Sequence, residues 1–176
     1  MMTAKDNKST PQQPHPPDPE LQRLAPLLGT WNSVGQSVDN FAGPAGRVEA
    51  TETFEWLNGG YFLVSHYKIS WGDDGPPNYG VMYWGYDSAA RKFHTHFFND
   101  QGPYDEDEDG STYEGVVADG KLTFTGPARF QYELDADGKI KVKPDGTITV
   151  IWWLRDSEGV WQFWRDATYT RIKKDV

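Results

Sequence analysis

The 176-residue chain is acidic and contains no cysteine, and both facts limit the classes of protein it can belong to. Its formal charge is −9, and no cluster of lysine and arginine offsets this charge, so neither nucleic acid nor an anionic membrane surface is expected as a partner. Without cysteine the chain forms no disulfide and has no thiolate nucleophile, which excludes a disulfide-stapled secreted scaffold.

The N-terminal segment is polar and rich in proline. Residues 1–17 offer almost nothing to bury, which predicts a disordered tail. The tail lacks the apolar stretch of a signal peptide, and no part of the chain approaches the ~20 apolar residues of a membrane span. We therefore expect a cytoplasmic protein with one folded domain over residues 18–176.

A short amphipathic helix is predicted where the folded domain begins. Asp18 is a good N-cap residue, and Pro19 suits the first helical position because its missing N–H needs no partner there. Gly29 is expected to end the helix. Leucines recur between these limits at helical spacing: Leu21, Leu24, Leu27 and Leu28.

After Gly29 the apolar residues alternate with polar ones, as in β-strands that are buried on one face. Residues 47–57, 128–134 and 139–143 show this period of two most clearly. Other β-rich segments are 60–71, 78–86, 91–98, 111–117, 120–126, 147–155 and 160–171.

Tight turns separate many of these segments. Asn-Gly and Asp-Gly pairs supply the positive φ angles that hairpins need, and they occur at 58–59, 109–110, 119–120, 137–138 and 145–146. About ten strands joined in this way would leave exposed edges in an open sheet, whereas closure removes them. The sequence therefore predicts an all-β, antiparallel up-and-down barrel of about ten strands with a short N-terminal helix.

Two motifs at the ends of the domain resemble the lipocalin-type (calycin) signature. Gly29-Thr30-Trp31 opens the first strand, and Tyr169-Thr170-Arg171 closes the last one. The resemblance implies that Trp31 plugs the closed end of the barrel and that Arg171 packs across its ring.

Two further motifs extend this resemblance along the chain. Together with the end motifs, Gly59-Gly60-Tyr61-Phe62 and Gly85-Tyr86-Asp87 are similar to those of an uncharacterised bacterial family of lipocalin-like proteins, over roughly residues 20–173. The resemblance implies a lipocalin-like fold and no particular chemistry. Nitrobindins share a similar barrel and bind haem through a histidine near the C-terminus, but the last histidine here is His96. We therefore expect no cofactor.

His94 and His96 form the first candidate constellation. Residues i and i+2 of a strand face the same side, so this pair with a third ligand could hold Zn²⁺ or Fe²⁺. Glu52 is the candidate third ligand because it interrupts an apolar strand face, and His66 is another. Alternatively, the histidines face solvent.

An acidic segment is the second candidate. Residues 105–110 place aspartates at alternate positions before a glycine, like the first half of a calcium loop. The twelfth position is Val116 rather than the glutamate such a loop requires. The alternative is a solvated hairpin tip.

The third candidate is the surplus of aromatic residues, which make up 15% of the chain. Trp152 and Trp153 alternate across one predicted strand, while Trp161, Phe163 and Tyr169 are expected to share a face of the last. Most of these rings are expected in the core. The residues we expect around a bound ligand are Glu52, Trp56, Tyr83, Trp84, His94, His96 and Trp153.

These observations favour binding of a small hydrophobic or aromatic molecule inside the barrel rather than catalysis. Two alternatives remain: a small barrel enzyme or metal- or haem-binding protein that uses His94, His96 and Glu52, and a structural module with a filled core. The chain has no G-x-S-x-G motif and no phosphate-binding loop. The sequence predicts neither the ligand's identity nor the oligomeric state.

Overall fold

Ten antiparallel strands close into one barrel in the computed structural model, which describes residues 15–72, 75–100 and 112–172. This is the all-β up-and-down architecture predicted from alternation and hairpin turns. After a helix over Pro19–Leu27, the strands are β1 Gly29–Ser37, β2 Gly46–Trp56, β3 Leu63–Trp71, β4 Asn78–Asp87, β5 Lys92–Asn99, β6 Thr112–Ala118, β7 Lys121–Thr125, β8 Ala128–Glu133, β9 Ile148–Arg155 and β10 Trp161–Arg171.

Pairing between the first and last strands closes the sheet. β1 lies antiparallel to β10 in a register that places Trp31 opposite Arg171 and Ser33 opposite Tyr169. Every other ladder joins strands that are neighbours in the chain. Because the ring of strands is complete, alternate residues of each strand face one enclosed interior.

The N-terminal helix covers one end of the barrel. It is a 3₁₀ helix, and the Asp18 carboxylate accepts a hydrogen bond from the Glu20 N–H at 2.9 Å, as an N-cap residue does. Leu28, rather than Gly29, is its C-terminal cap. Its three buried leucines, at 21, 24 and 27, pack into the barrel core.

Trp31 and Arg171 meet beneath this helix. The Trp31 ring is 1% exposed, and its Nε1 donates to the Leu27 carbonyl oxygen at 2.6 Å. The Arg171 guanidinium lies 4.2 Å from the ring centroid and donates to the carbonyl oxygens of Leu28 and Pro26. Because these carbonyls end a helix, a cation is well placed to satisfy them. The helix, the first strand and the last strand are thus joined at the closed end.

The prediction of a strand over residues 139–143 is wrong. Only an isolated bridge forms there, between Leu134 and Ile140. The Ile140 N–H donates to the Arg23 carbonyl oxygen of the helix at 2.9 Å, so this backbone donor is used outside any ladder. Ile140 itself is fully buried, because the segment packs as a cover on the closed end.

The expectation that Trp161, Phe163 and Tyr169 share one face is also wrong. The register of β10 against β9 shifts between Phe163 and Arg165. Such a β-bulge inserts one residue and reverses the alternation that follows it. Phe163 is therefore exposed outside, whereas Tyr169 is buried inside.

Residues 1–14 of the expected tail and the acidic segment 105–110 lie outside the described ranges. Of the remaining tail, the carbonyl oxygen of His15 accepts a hydrogen bond from the Tyr61 hydroxyl. Among the described residues, no helix is long and apolar enough to cross a membrane.

The closed end supports a first prediction. Arg171→Ala should lower the free energy of unfolding by about 1–2 kcal/mol, because it removes a cation–π contact and two hydrogen bonds to helix carbonyls. Urea unfolding measures this change. Arg155→Ala is the matched control, since Arg155 also lies over an indole, that of Trp161 at 5.8 Å, but outside the closed end. The control should change stability by less than about 0.5 kcal/mol, and equal losses in both variants would contradict the prediction.

Candidate functional site

A cavity of about 440 Å³ occupies the barrel interior. It extends to the end opposite the helix, where Trp71, the last residue of β3, and Asn78, the first of β4, line it. The deeper interior toward the helix is filled by the apolar core, which includes Leu63 and Phe54. The barrel is therefore closed at one end and hollow toward the other.

Aromatic rings form a large part of the cavity wall. Strand alternation turns them inward from β3, β4, β5, β6, β8, β9 and β10, and four of the eight tryptophans of the chain are among them. The bulge in β10 adds to this set because it lets two consecutive residues, Trp164 and Arg165, reach the interior. The aromatic lining residues are Tyr67, Trp71, Trp84, Phe97, Tyr113, Phe130, Tyr132, Trp152, Trp164 and Tyr169.

Glu52 is a buried acid in this wall. Its residue surface is 8% exposed, and the Tyr169 hydroxyl donates to Oε2 at 3.2 Å. Burial raises the pKa of the Glu52 carboxyl to about 7, although the hydroxyls of Ser65 and Tyr169 and the charge of Arg165 act in the opposite direction. The carboxyl therefore exchanges its proton near neutral pH.

Arg165 is a buried cation in the same wall, four residues before Tyr169 and so nearer the open end. Three indoles surround its guanidinium, with ring centroids of Trp152, Trp164 and Trp71 at 4.7, 5.1 and 5.2 Å. Burial lowers the pKa of the guanidinium, yet arginine remains a cation in proteins. Within the described structure, no Arg165–carboxylate contact falls inside the 4.0 Å limit of an ion pair.

The residues expected around a ligand divide between the two faces of the barrel. Glu52 and Trp84 line the cavity. Trp56 packs against the core at the closed end. Tyr83 and Trp153 lie on the outer face, because their strand neighbours Trp84 and Trp152 point inward, so their assignment to the cavity is wrong.

His94 and His96 also face outward, as in the alternative given for them, so their assignment to the cavity is wrong and they do not partner Glu52. The inward positions of β5 belong to Phe93, Thr95 and Phe97, and the two histidines alternate with them. His96 instead contacts Thr112, with 3.0 Å between Nδ1 and Oγ1. The acid's observed partner is a tyrosine.

Because His94 and His96 face outward and Glu52 faces inward, these three residues do not form a metal site. His66, the other candidate ligand, is exposed and lies 3.9 Å from Oε1 of Glu55 on the outer surface. Across the described ranges, no three side chains of histidine, aspartate or glutamate gather as a metal site requires.

Sequence analysis missed Arg165, and a signal for it exists. Arg165 shares its alternation with Ala167 and Tyr169, which are buried, so a charge interrupts an apolar strand face there just as Glu52 does in β2. The bulge hid this pattern because it breaks the alternation two residues earlier.

The buried carboxyl supports a second prediction. Between about pH 4.5 and about pH 7 the unfolded chain has lost the Glu52 proton while the folded protein keeps it, so this group lowers stability as pH rises through that window. The difference of about 2.5 pH units corresponds to on the order of 3 kcal/mol. Glu52→Gln, which stays neutral, should therefore be more stable than the wild type at about pH 8 and should lose that advantage at about pH 4.

Urea unfolding at the two pH values measures the difference. Glu55→Gln is the control, because Glu55 lies on the same strand with an exposed side chain and should follow the wild type at both pH values. A Glu52→Gln advantage that does not change with pH would contradict the prediction.

Comparisons with known proteins agree with the barrel. The structure is similar to Rv2717c from M. tuberculosis, with a TM-score of 0.59, 16% sequence identity and coverage of 89% of this chain and 99% of that one. It is also similar to the S-type phycobiliprotein lyase CPES from Guillardia theta, with a TM-score of 0.54, 13% identity and coverage of 88% and 92%. At these identities the likeness shows the fold alone.

Sequence comparison with families is more specific. No curated protein shows significant similarity to the chain. The model of one family, described as a protein of unknown function (DUF1579), matches residues 16–171, which span the helix and all ten strands. The chain belongs to the DUF1579 family.

Proposed function

We propose that the barrel reversibly binds a small, largely apolar or aromatic molecule in its interior. The observation that carries this proposal is the cavity of about 440 Å³, lined largely by aromatic rings and also by a buried acid, Glu52, and a buried cation, Arg165. Ligand sites in proteins typically have volumes of about 300–1,000 Å³, apolar walls and a few convergent polar groups.

The arrangement of the tryptophans argues against a purely structural core. Trp71 and Trp164 stack with their centroids 5.2 Å apart at the open end, and Trp152 lies edge-on to Trp164 at 6.3 Å. Large rings that border an open volume lose the contacts a filled core would provide. An apolar ligand would restore those contacts and remove further apolar surface from water.

The structural neighbours are compatible with this proposal. One protein with a similar barrel is a phycobiliprotein lyase, so in that protein the barrel has more than a structural role. Fold likeness does not transfer chemistry, so the lyase activity remains a property of that protein.

The proposal also covers the location of the protein, the extent of its domain and the class of its partner. We propose a cytoplasmic binding protein whose domain covers residues 18–176, with a small molecule rather than nucleic acid as its partner. The net charge of −9 supports this choice because it repels phosphate backbones.

Binding of a neutral aromatic probe tests the proposal. Phenylnaphthylamine should bind with a stoichiometry of one and become fluorescent, and energy transfer should occur from the four cavity tryptophans. Ala50→Phe places a ring into the cavity from β2 and should weaken binding by about tenfold or more. Titration by fluorescence measures both effects.

Thr51→Phe is the matched control, since it adds the same ring to the outer face of the same strand. It should bind like the wild type. If the wild type binds no probe, or if folded Ala50→Phe binds as tightly as Thr51→Phe, the cavity is not the binding site.

A further inference from the structure

The donors in the cavity wall indicate what kind of polar group a ligand carries. Arg165 is 7% exposed, and its buried Nε has no hydrogen-bond partner among the residues that the structure describes. Trp152 faces Arg165 across the β9–β10 ladder, and the same holds for its buried Nε1. Both residues line the cavity. Two N–H donors thus lie next to each other in the same wall.

Such an arrangement is costly when the cavity is empty. A buried donor without an acceptor loses the hydrogen bond it would make with water, and this loss is larger when the group is charged. The three indole faces attract the Arg165 cation but provide no acceptor in the plane of its N–H groups. The missing component is therefore an acceptor, and next to a cation it is best an anionic one.

Glu52 does not supply this acceptor. Its charge influences Arg165, but the two groups form no ion pair within 4.0 Å, and its carboxyl is already engaged by Tyr169. Glu52 lies on β2 opposite Trp31 and Tyr67, whereas Arg165 is closer to the open end. A ligand in the space next to Arg165 would therefore supply the acceptor that Glu52 does not.

We propose that the ligand is an aromatic or apolar molecule with an acidic group, a carboxylate or another oxyanion, held by the Arg165 guanidinium and the Trp152 Nε1. The inference rests on the proposed function and specifies its ligand class. The stacked Trp71 and Trp164 rings border the same space and would contact the aromatic body. Because the overall charge of −9 repels anions, Arg165 is the local charge that makes such binding favourable.

A pair of probes that share one skeleton tests this inference. Anilinonaphthalenesulfonate has the two-ring skeleton and anilino group of phenylnaphthylamine and adds a sulfonate. The wild type should bind the sulfonate about tenfold more tightly than the neutral probe. Naphthoate should compete better than naphthamide, which shows whether a carboxylate is accepted as well as a sulfonate.

Variants of Arg165 and Trp152 test whether these two donors cause the preference for the sulfonate probe. Arg165→Met, which keeps an unbranched and flexible side chain but has neither charge nor N–H, should reduce the affinity ratio of the two probes to about one. Arg129→Met is the matched control, because Arg129 also packs on an indole, at 4.4 Å from Trp161, and has a buried unpartnered Nε, but it does not line the cavity. This control should keep the wild-type ratio.

Trp152→Phe keeps a flat aromatic ring at this position but has no N–H, so it should reduce the ratio severalfold, and this variant decides the matter if Arg165→Met does not fold. Wild-type protein that binds both probes equally would overturn the inference and leave the proposed function standing. Folded Arg165→Met that keeps the preference would overturn the role of Arg165. Failure of both probes to bind would overturn the proposed function and, with it, this inference.

Discussion

The pairing of β1 with β10 is the interaction on which the rest of the structure depends. It joins strands from opposite ends of the domain, and in doing so it turns a meander with two free edges into a ring. The Trp31–Arg171 contact holds this pairing against the helix. Without closure, the inward residues of ten strands would face solvent rather than each other. The cavity exists because those residues are enclosed.

Closure also sets the electrostatic conditions of the interior. Glu52 and Arg165 lie on strands that are separated only by β1, and both face the same space. Inside the barrel the loss of water raises the pKa of the acid to about 7 and leaves the cation in contact with indoles instead of solvent. The two groups influence each other without a direct ion pair: the Glu52 carboxyl accepts a hydrogen bond from Tyr169, whereas the Arg165 guanidinium lies among indole rings.

The β10 bulge is a second constraint of comparable importance. A regular strand would have directed either Trp164 or Arg165 inward, but not both. The inserted residue brings the cation and one of its enclosing rings to the cavity together. Bulges are enriched next to functional sites because they re-aim side chains in this way. The aromatic enclosure of Arg165 follows from this local irregularity and not from the alternating pattern.

By itself the sequence determined the architecture and the inward position of Glu52. Alternation over 47–57 and 128–134, with Asn-Gly and Asp-Gly turns between segments, is local information, and local periodicity is enough to specify strands and their order in a meander. Tertiary structure alone decided which residues share the cavity. The outward turn of His94 and His96 depends on the competing rings of Phe93 and Phe97, and the position of Arg165 depends on a register shift between strands. Alternation predicts that a strand has two faces. When both faces carry bulky residues, only the packing of the whole barrel decides which face lies in the interior.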